Sequence, residues 1–539
     1  MPDLPRVQYD HYYDHAELSA HLQALAEAAP GRVQLHALYT TPEGREEWLV
    51  EVTDFSSLRS DGRPAYLVHA NLHAPEVSGT TASLRLIERL LTDPSLDDLL
   101  RDMVFYVIPR VNPDGAEYAL KTSGPIRSKF EIRPCRNGLV PQDVNGDGMI
   151  LSMRWQDPFG PYVADDTDPR LLRSREPTDE GPFYQMTTEG VLLDYDGGPI
   201  QQAVRGFDFN RNWGSNWQPE HIQWGAGDHP FSQPEMKAVA DWVYTHPNIM
   251  GMLGFHNGSN AVLRPSATVA DEELRPADLK VMKRLCAEGS VLTRFPSRAV
   301  RMYKADNAPP LSLQGHFTDW GYFGLGLFVF EIELGNSYNA AGVTTEEFFA
   351  ADEETREVEF RRRVLRFLDQ RPGKAAFVDW RPCDHPQLGR VEIGGLRTVD
   401  YCCPPPESME QIGSNCTDFI VSHARHRPRL VLDKVRAEHI AGGVYRLRAT
   451  VGNSGLLPTH ITEQALSLAH RPPVTVRVLP DEGVRVVSRG ALVEIDSLPA
   501  LTGSRDLEWF VHREAAAGVV EIVAQHPKAG TARARVQLA

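Results

Sequence analysis

His73 and Glu76 stand three residues apart in the run His73-Ala-Pro-Glu76, where an apolar stretch gives way to a helical pattern. A zinc ion takes three protein ligands and keeps one position open, and imidazole nitrogen and carboxylate oxygen are both suitable donors. A strand-to-helix turn lets two side chains at this spacing converge on one point. The pair alone is a weak sign, because 19 histidines make roughly one such spacing expected by chance. Its company says more. Downstream come VNPDG at 111–115, GFDFNRNW at 206–213, GFHNGS at 254–259 and FVFEIEL at 328–334. These runs add a third candidate ligand, His256, the polar trio Asp208, Asn210 and Arg211, and two carboxylates, Glu331 and Glu333. The two glutamates share one face of a strand, since side chains alternate with period two. His69 shares a face with His73 in the same way and reads as packing. A second cluster, Asp143-Val-Asn145-Gly-Asp147-Gly148, sets oxygen donors at alternate positions before glycine, like the front half of a calcium loop. Calcium is therefore expected at Asp143, Asn145 and Asp147. Arg154 stands where the closing glutamate of such a loop belongs, and Asp194 and Asp196 follow as a second acidic cluster. Turn chemistry is the competing account, because Asp, Asn and Gly dominate turns.

The elements that must hold these residues alternate. HAELSAHLQALAEAA at 15–29 and TTASLRLIERLLTD at 80–93 carry apolar residues at helical spacing. WLVEV at 48–52, AYLVHANLH at 65–73, MVFYVIPRV at 103–111, MGMLGFH at 250–256 and GLFVFEIEL at 326–334 are short apolar runs that read as buried strands. Strands apolar on both faces and separated by helices predict an α/β fold with a mixed, mostly parallel sheet covered by helices on both faces. Between about 120 and 205 the rhythm breaks into an Asp-, Gly-, Pro- and Arg-rich stretch, expected to be an insertion on a catalytic domain spanning 1–375. Residues 376–428 read as a connecting region. From 429 to 539, short runs such as RPRLVLDKV, GVYRLRATVGN and GVVEIVAQH are separated by turn residues and predict an all-β sandwich.

The 539 residues hold 56 Lys and Arg against 72 Asp and Glu, a formal charge of −16. That balance repels phosphate backbones and excludes nucleic acid as an expected partner. No apolar run approaches the roughly 18–20 residues of a membrane span. The opening MPDLPRVQYDHYYDHAEL lacks a basic-then-apolar signal region, and the six cysteines form no CxxC pair. A cytoplasmic location with reduced thiols is expected.

The five motifs, in their order, resemble the zinc carboxypeptidase family that contains carboxypeptidases A and B, over about residues 8–370. The insertion and the β-rich C-terminal region look more like bacterial relatives than the digestive enzymes. The resemblance implies one catalytic zinc held by His73, Glu76 and His256, with Asp208 orienting His73 from behind. It implies that Asn210 and Arg211 hold the free carboxylate of a peptide, a task suited to the guanidinium fork. Of the two strand glutamates it favours Glu331 as general base. It places the oxyanion-stabilising arginine at Arg127, with Arg133 a nearby alternative, and puts Thr318 at the floor of the specificity pocket. Pro75 stands where the digestive enzymes have arginine. Tyr303 does not match the position of the family's mobile tyrosine. The implied function is hydrolysis of C-terminal peptide bonds by a metal-activated water, on peptide or peptide-like substrates with a free carboxylate. The alternative is a zinc amidase or deacylase acting on small acyl amino acids or cell-wall peptide fragments. A non-catalytic peptide-binding protein is disfavoured by the intact constellation.

Overall fold

The computed structural model of the chain describes residues 4–56, 62–304, 311–371, 376–469, 471–488, 490–514 and 518–538. Eight of its strands, β1 (Val33–Thr40), β2 (Glu46–Val52), β3 (Ala65–Ala70), β4 (Val104–Ile108), β5 (Ile249–His256), β6 (Asn260–Arg264), β7 (Ser297–Ala299) and β8 (Phe328–Leu334), form one sheet. Their spatial order is β1-β2-β4-β3-β5-β8-β6-β7. The central four, β4, β3, β5 and β8, are parallel. The pairs β1–β2, β2–β4 and β6–β8 are antiparallel, so the sheet is mixed.

Every residue of β3, β4 and β5 is buried, which requires cover on both faces. On one face Tyr66 of β3 lies 2.8 Å from His423 Nδ1 through its hydroxyl. His69, three residues on and therefore on the opposite face, meets Phe317 edge-to-face with ring centroids 4.3 Å apart. The covering helices that matter here are α1 (His15–Ala28), α2 (Ser78–Thr92), α3 (Asp97–Asp102), α4 (Pro113–Thr122), α5 (Pro234–Thr245), α6 (Pro276–Thr293) and α7 (Met409–Arg425). Helix α1 opens with a reciprocal cap: the Asp14 carboxylate accepts from the Glu17 N–H, and Glu17 accepts from the Asp14 N–H, both at 2.9 Å.

Helix α7 comes from residues read in sequence as a connecting region. It packs against both α2 and α6 and buries Met409, Cys416, Phe419 and Ile420 in the same apolar cluster as the central strands. Gly289 of α6 permits that approach, since a Cβ there would lie 2.9 Å from the Phe419 ring. The expected boundary at 375 falls outside the described residues.

The stretch 120–205 is built from short strands. Ser152–Gln156, Tyr162–Ala164, Leu172–Ser174 and Phe183–Thr188 join Phe377–His385 and Gly389–Leu396 in a six-stranded sheet. These strands are three to nine residues long, too short for a period-two pattern to stand out, and the ladder reaches across more than two hundred residues of sequence. The C-terminal strands form two four-stranded antiparallel sheets around Leu447, Val476, Trp509, Val511 and Ile522. None of the six cysteines is in a disulfide. Among the described residues, no helix is long and apolar enough to cross a membrane.

Candidate metal centre and active site

Parallel strands deliver their loops to one edge of the sheet, and the site lies on that edge. Strand β3 stops at Ala70, and Asn71 takes a left-handed backbone with φ 58°. The apolar run predicts a strand reaching His73; the turn at Asn71 instead swings His73 clear of the sheet. The Asn71 amide donates to the carbonyls of His73 at 2.7 Å and Ala74 at 3.2 Å, holding the loop that carries both candidate ligands. Asn112, the N-cap of α4, donates to Leu72 O and Ser128 O. The Ala74 N–H reaches Arg127 O at 2.7 Å. The loop is thus pinned from three sides before any ligand is bound.

His73, Glu76 and His256 converge. Their donor atoms all lie within 4.8 Å of one another and all three residues are buried. His73 Nδ1 lies 2.9 Å from Glu76 Oε1, His256 Nδ1 lies 3.1 Å from Glu76 Oε2, and the two Nδ1 atoms are 3.2 Å apart. Two imidazole nitrogens and a carboxylate aimed at one point form the donor set zinc prefers, so the residues fit that ion. Glu76 is steadied by the Asn257 N–H at 3.0 Å.

The far nitrogen of each ring faces a carboxylate. His73 Nε2 is 3.0 Å from Asp208 Oδ1, as the sequence reading expected. His256 Nε2 is 3.3 Å from Glu331 Oε1. Burial opposes ionisation of Asp208, yet Arg211, Arg127 and His73 hold it well below the usual carboxylate range. Glu331 is likewise buried, and His316 and His256 hold its carboxyl down at about 2.

Glu331, the expected general base, therefore lies behind His256, on the side away from the convergent donors. It accepts from Asn210 Nδ2 at 2.9 Å and faces His316 Nε2 at 3.5 Å. Glu333 lies two residues further along the same strand face, level with His256. It pairs in register with His256 across β5 and β8, whereas Glu331 pairs one layer deeper with Gly254. It is the one residue of β8 that is not fully buried. Its Oε2 is inaccessible and has no hydrogen-bond partner. Burial, reinforced by Glu76 and Glu331, pushes the Glu333 carboxyl up to about 8. Gly258 leaves room for it: a Cβ there would come within 2.9 Å of Glu333 Oε2 and collide with the Tyr303 hydroxyl. Tyr303, set aside in the sequence, thus borders the site, its hydroxyl accepting from the Ser259 N–H at 3.1 Å.

Arg127 stands at the mouth. Its Nη1 donates to Glu76 Oε1 at 2.9 Å and its Nε to Asp208 Oδ2 at 3.1 Å. Burial works against its charge, but Asp208 and Glu76 more than offset this and hold its pKa above the ordinary value. Arg133, the alternative, is exposed and paired with Glu131 at 2.8 Å, away from the donors. Asn210 is 3% exposed and its amide is committed internally: Oδ1 accepts from the Phe317 N–H at 2.9 Å while Nδ2 serves Glu331. Arg211 donates to Asn210 O at 2.6 Å and lies 3.9 Å from Asp208. Thr318 is fully buried against His316 Nδ1 at 3.0 Å. His69 is a buried, neutral packing residue, its pKa lowered to about 3 chiefly by burial.

The Asp/Gly loop departs from the calcium expectation. Asp143 accepts from the Gly146 and Gly148 N–H groups, Asn145 Oδ1 from Asp147 N–H, and Asp147 Oδ1 from Met149 N–H. Asp147 Oδ2 accepts from the Asn145 amide. Asp196 is occupied by Asn137, Gly198 and Arg136. Buried Glu189 holds the loop from inside, accepting from Val144 at 2.7 Å, Asn145 at 3.3 Å and Leu151 at 3.0 Å. These oxygens serve the turn's own N–H groups, and calcium finds no support there.

A family model described as zinc carboxypeptidase matches residues 18–358. A second, described as a domain of unknown function, matches residues 429–537. Mouse carboxypeptidase D is 32% identical over 121 residues, covering 22% of this chain and 9% of that protein. Carboxypeptidase B of Astacus astacus is 23% identical over 273 residues, covering 49% of this chain and 67% of that protein. The match thus spans about a tenth of carboxypeptidase D. Among solved structures, carboxypeptidase A from Helicoverpa armigera shares 15% identity at a TM-score of 0.46, covering 78% of this chain and 76% of that one.

Proposed function

The chain belongs to the zinc carboxypeptidase family, and from that premise we propose that it is a metallocarboxypeptidase cleaving the C-terminal peptide bond of its substrates. The observation that carries the reading is the convergence of His73 Nδ1, Glu76 and His256 Nδ1, each imidazole backed by a carboxylate. These three residues would hold zinc. Asp208 and Glu331 would accept hydrogen bonds from the Nε2–H groups of the two rings, which keeps the protons on Nε2 and leaves both Nδ1 lone pairs free for the ion. Zinc, when bound, lowers the pKa of water toward neutrality and polarises a carbonyl.

The chain's own groups do the rest. Glu333, level with His256 on the adjoining strand, accepts a proton from the attacking water in its carboxylate form, which its raised pKa makes more populated as pH climbs toward 8, and delivers it to the leaving amine. Its unpartnered Oε2 supports that role, and Glu331 is disfavoured because its oxygens face the back of the ligand shell. Arg127, at the mouth, stabilises the negative charge that develops on the carbonyl oxygen. Arg211 receives the terminal carboxylate. Asn210 acts indirectly, tying Glu331 to the backbone of Phe317 rather than touching substrate.

The test is metal analysis of the purified chain together with release of C-terminal residues from free-acid peptides and from the same peptides amidated. About one zinc per chain, with hydrolysis confined to the free acids, is the expected result. Absence of zinc after metal-replete purification would overturn the site. Zinc with turnover of acyl amino acids but not peptides would move the assignment to an amidase.

A further inference from the structure

A cleft of about 800 Å³ opens where α3, the end of α7 and the segment entering the C-terminal β domain meet. It is lined by Asp98, Arg101, Asp102, Arg425, Arg427 and Arg429. Four guanidiniums meet two carboxylates, a surplus of positive charge on a chain whose formal charge is −16. Asp98 pairs with Arg101. Asp102 is shared between Arg427 at 3.1 Å and Arg429 at 3.8 Å. Arg425 donates to a backbone carbonyl, Ser95 O, at 3.3 Å.

A structural role explains part of this. Arg425 is the last residue of α7, where a cation offsets the helix dipole. Arg427 and Arg429 lie beyond the helix end, and the dipole does not account for them. Arg427 is only 4% exposed, and Asp102 is its one carboxylate partner against two neighbouring guanidiniums, Arg425 and Arg429. Burial, together with Arg429 and Arg425, pushes its pKa down to about 10. A buried guanidinium crowded by two others is stabilised by an anion richer in oxygen than one shared carboxylate. The size falls within the usual range of small-ligand pockets, and the charged lining excludes an apolar occupant.

We propose that this cleft binds the phosphate group of a small anionic ligand, which would join α3 to the junction between α7 and the C-terminal β domain. Guanidinium forks match a tetrahedral oxyanion through paired N–H bonds. The cleft shares none of its lining residues with the metal centre, so the proposal stands independently of the catalytic reading.

The experiment titrates inorganic phosphate into the full-length chain in chloride buffer at constant ionic strength, followed by calorimetry and thermal melting. Citrate, a carboxylate anion of higher charge, is run in parallel. One saturable phosphate site per chain is expected, with a raised melting temperature and a dissociation constant of about 1 mM or below. Arg425→Gln should weaken binding about tenfold or more. Arg133→Gln, an exposed arginine outside the cleft, should leave it unchanged. Melting of the unliganded variants reports whether they fold, and Arg425 is exposed, so its replacement tests binding rather than assembly. Non-saturable heats, equal binding by Arg425→Gln, or binding of citrate alone would each overturn the proposal.

Discussion

Glutamine at position 333 and, separately, at position 331 puts the two strand carboxylates to a direct test. Glu333→Gln removes the group assigned to move the proton. General acid–base catalysis is worth about 10²–10⁴-fold, so kcat should fall by about 10³, or about 4 kcal/mol of barrier. Zinc content should be unchanged, because no candidate ligand touches Glu333 through a hydrogen bond. Glu331→Gln acts elsewhere. Glu331 faces three N–H donors, from Asn210 at 2.9 Å, His256 at 3.3 Å and His316 at 3.5 Å. His316 Nδ1 accepts from the Thr318 N–H at 3.3 Å, which leaves its proton on Nε2, aimed at Glu331. A glutamine presents one oxygen and one NH₂ to these donors, so at least one donor meets another donor. Losing a charge-assisted bond costs about 1.5–3 kcal/mol, which corresponds to about 10–100-fold in zinc affinity. Competition with a chromophoric chelator measures that affinity, and initial rates at saturating zinc measure kcat. The expected pattern is a crossed one: Glu333→Gln binds zinc normally and turns over poorly, while Glu331→Gln binds zinc weakly and turns over near normally once loaded. The reverse pattern would refute the reasoning and return the base to Glu331.

Other consequences follow from the same contacts. Asp208→Asn should weaken zinc binding about 10–100-fold by releasing His73 Nε2, measured with the same chelator. Arg211→Ala should raise KM for free-acid peptides by about 10²-fold or more, as expected for a bidentate carboxylate contact, with kcat affected less; steady-state kinetics on a peptide series checks it. Glu189→Gln should destabilise the chain by about 1–3 kcal/mol in denaturant titrations, since three backbone N–H groups lose a charged acceptor, and added calcium should not restore it. Stability should also fall as pH drops. Burial holds His423 neutral, with a pKa lowered to about 3, and His526 similarly at about 4. The unfolded chain takes up these protons below about 6.5 and the folded chain does not, so the contribution is complete above that pH and is lost progressively as pH falls toward 4. Melting scans from pH 7.5 to 4.5 should show the decline, with a shallower slope in His423→Asn.

Some of this architecture was legible without coordinates. The central strands are continuous apolar runs, and a run such as AYLVHA can only be satisfied between two covering layers. The candidate ligand pair could be read because His73 and Glu76 sit in one turn, and the candidate His256 because it closes its own strand; the three do converge. The stretch 120–205 could not be read: its strands are too short for a period-two pattern, and Ser152–Gln156 pairs with Gly389–Leu396, a partner more than two hundred residues away that no local pattern announces. The same holds for α7, whose apolar face is amphipathic in sequence but whose place between α2 and α6 is a matter of long-range packing.

What the chain's own order of residues determined is the chemistry available: two imidazoles, their carboxylate partner, an arginine pair and two glutamates on one strand face. Depth is what only the tertiary structure decided. Two residues along a strand share a face but differ by about 6.6 Å in position, and that distance separates the front of His256 from its back. Periodicity reports which face a side chain is on and carries no information about how far along the sheet the metal donors converge. For that reason Glu333 lies level with His256, Glu331 lies one pair deeper and accepts from Asn210, and the oxygens of the Asp/Gly loop accept from their own turn.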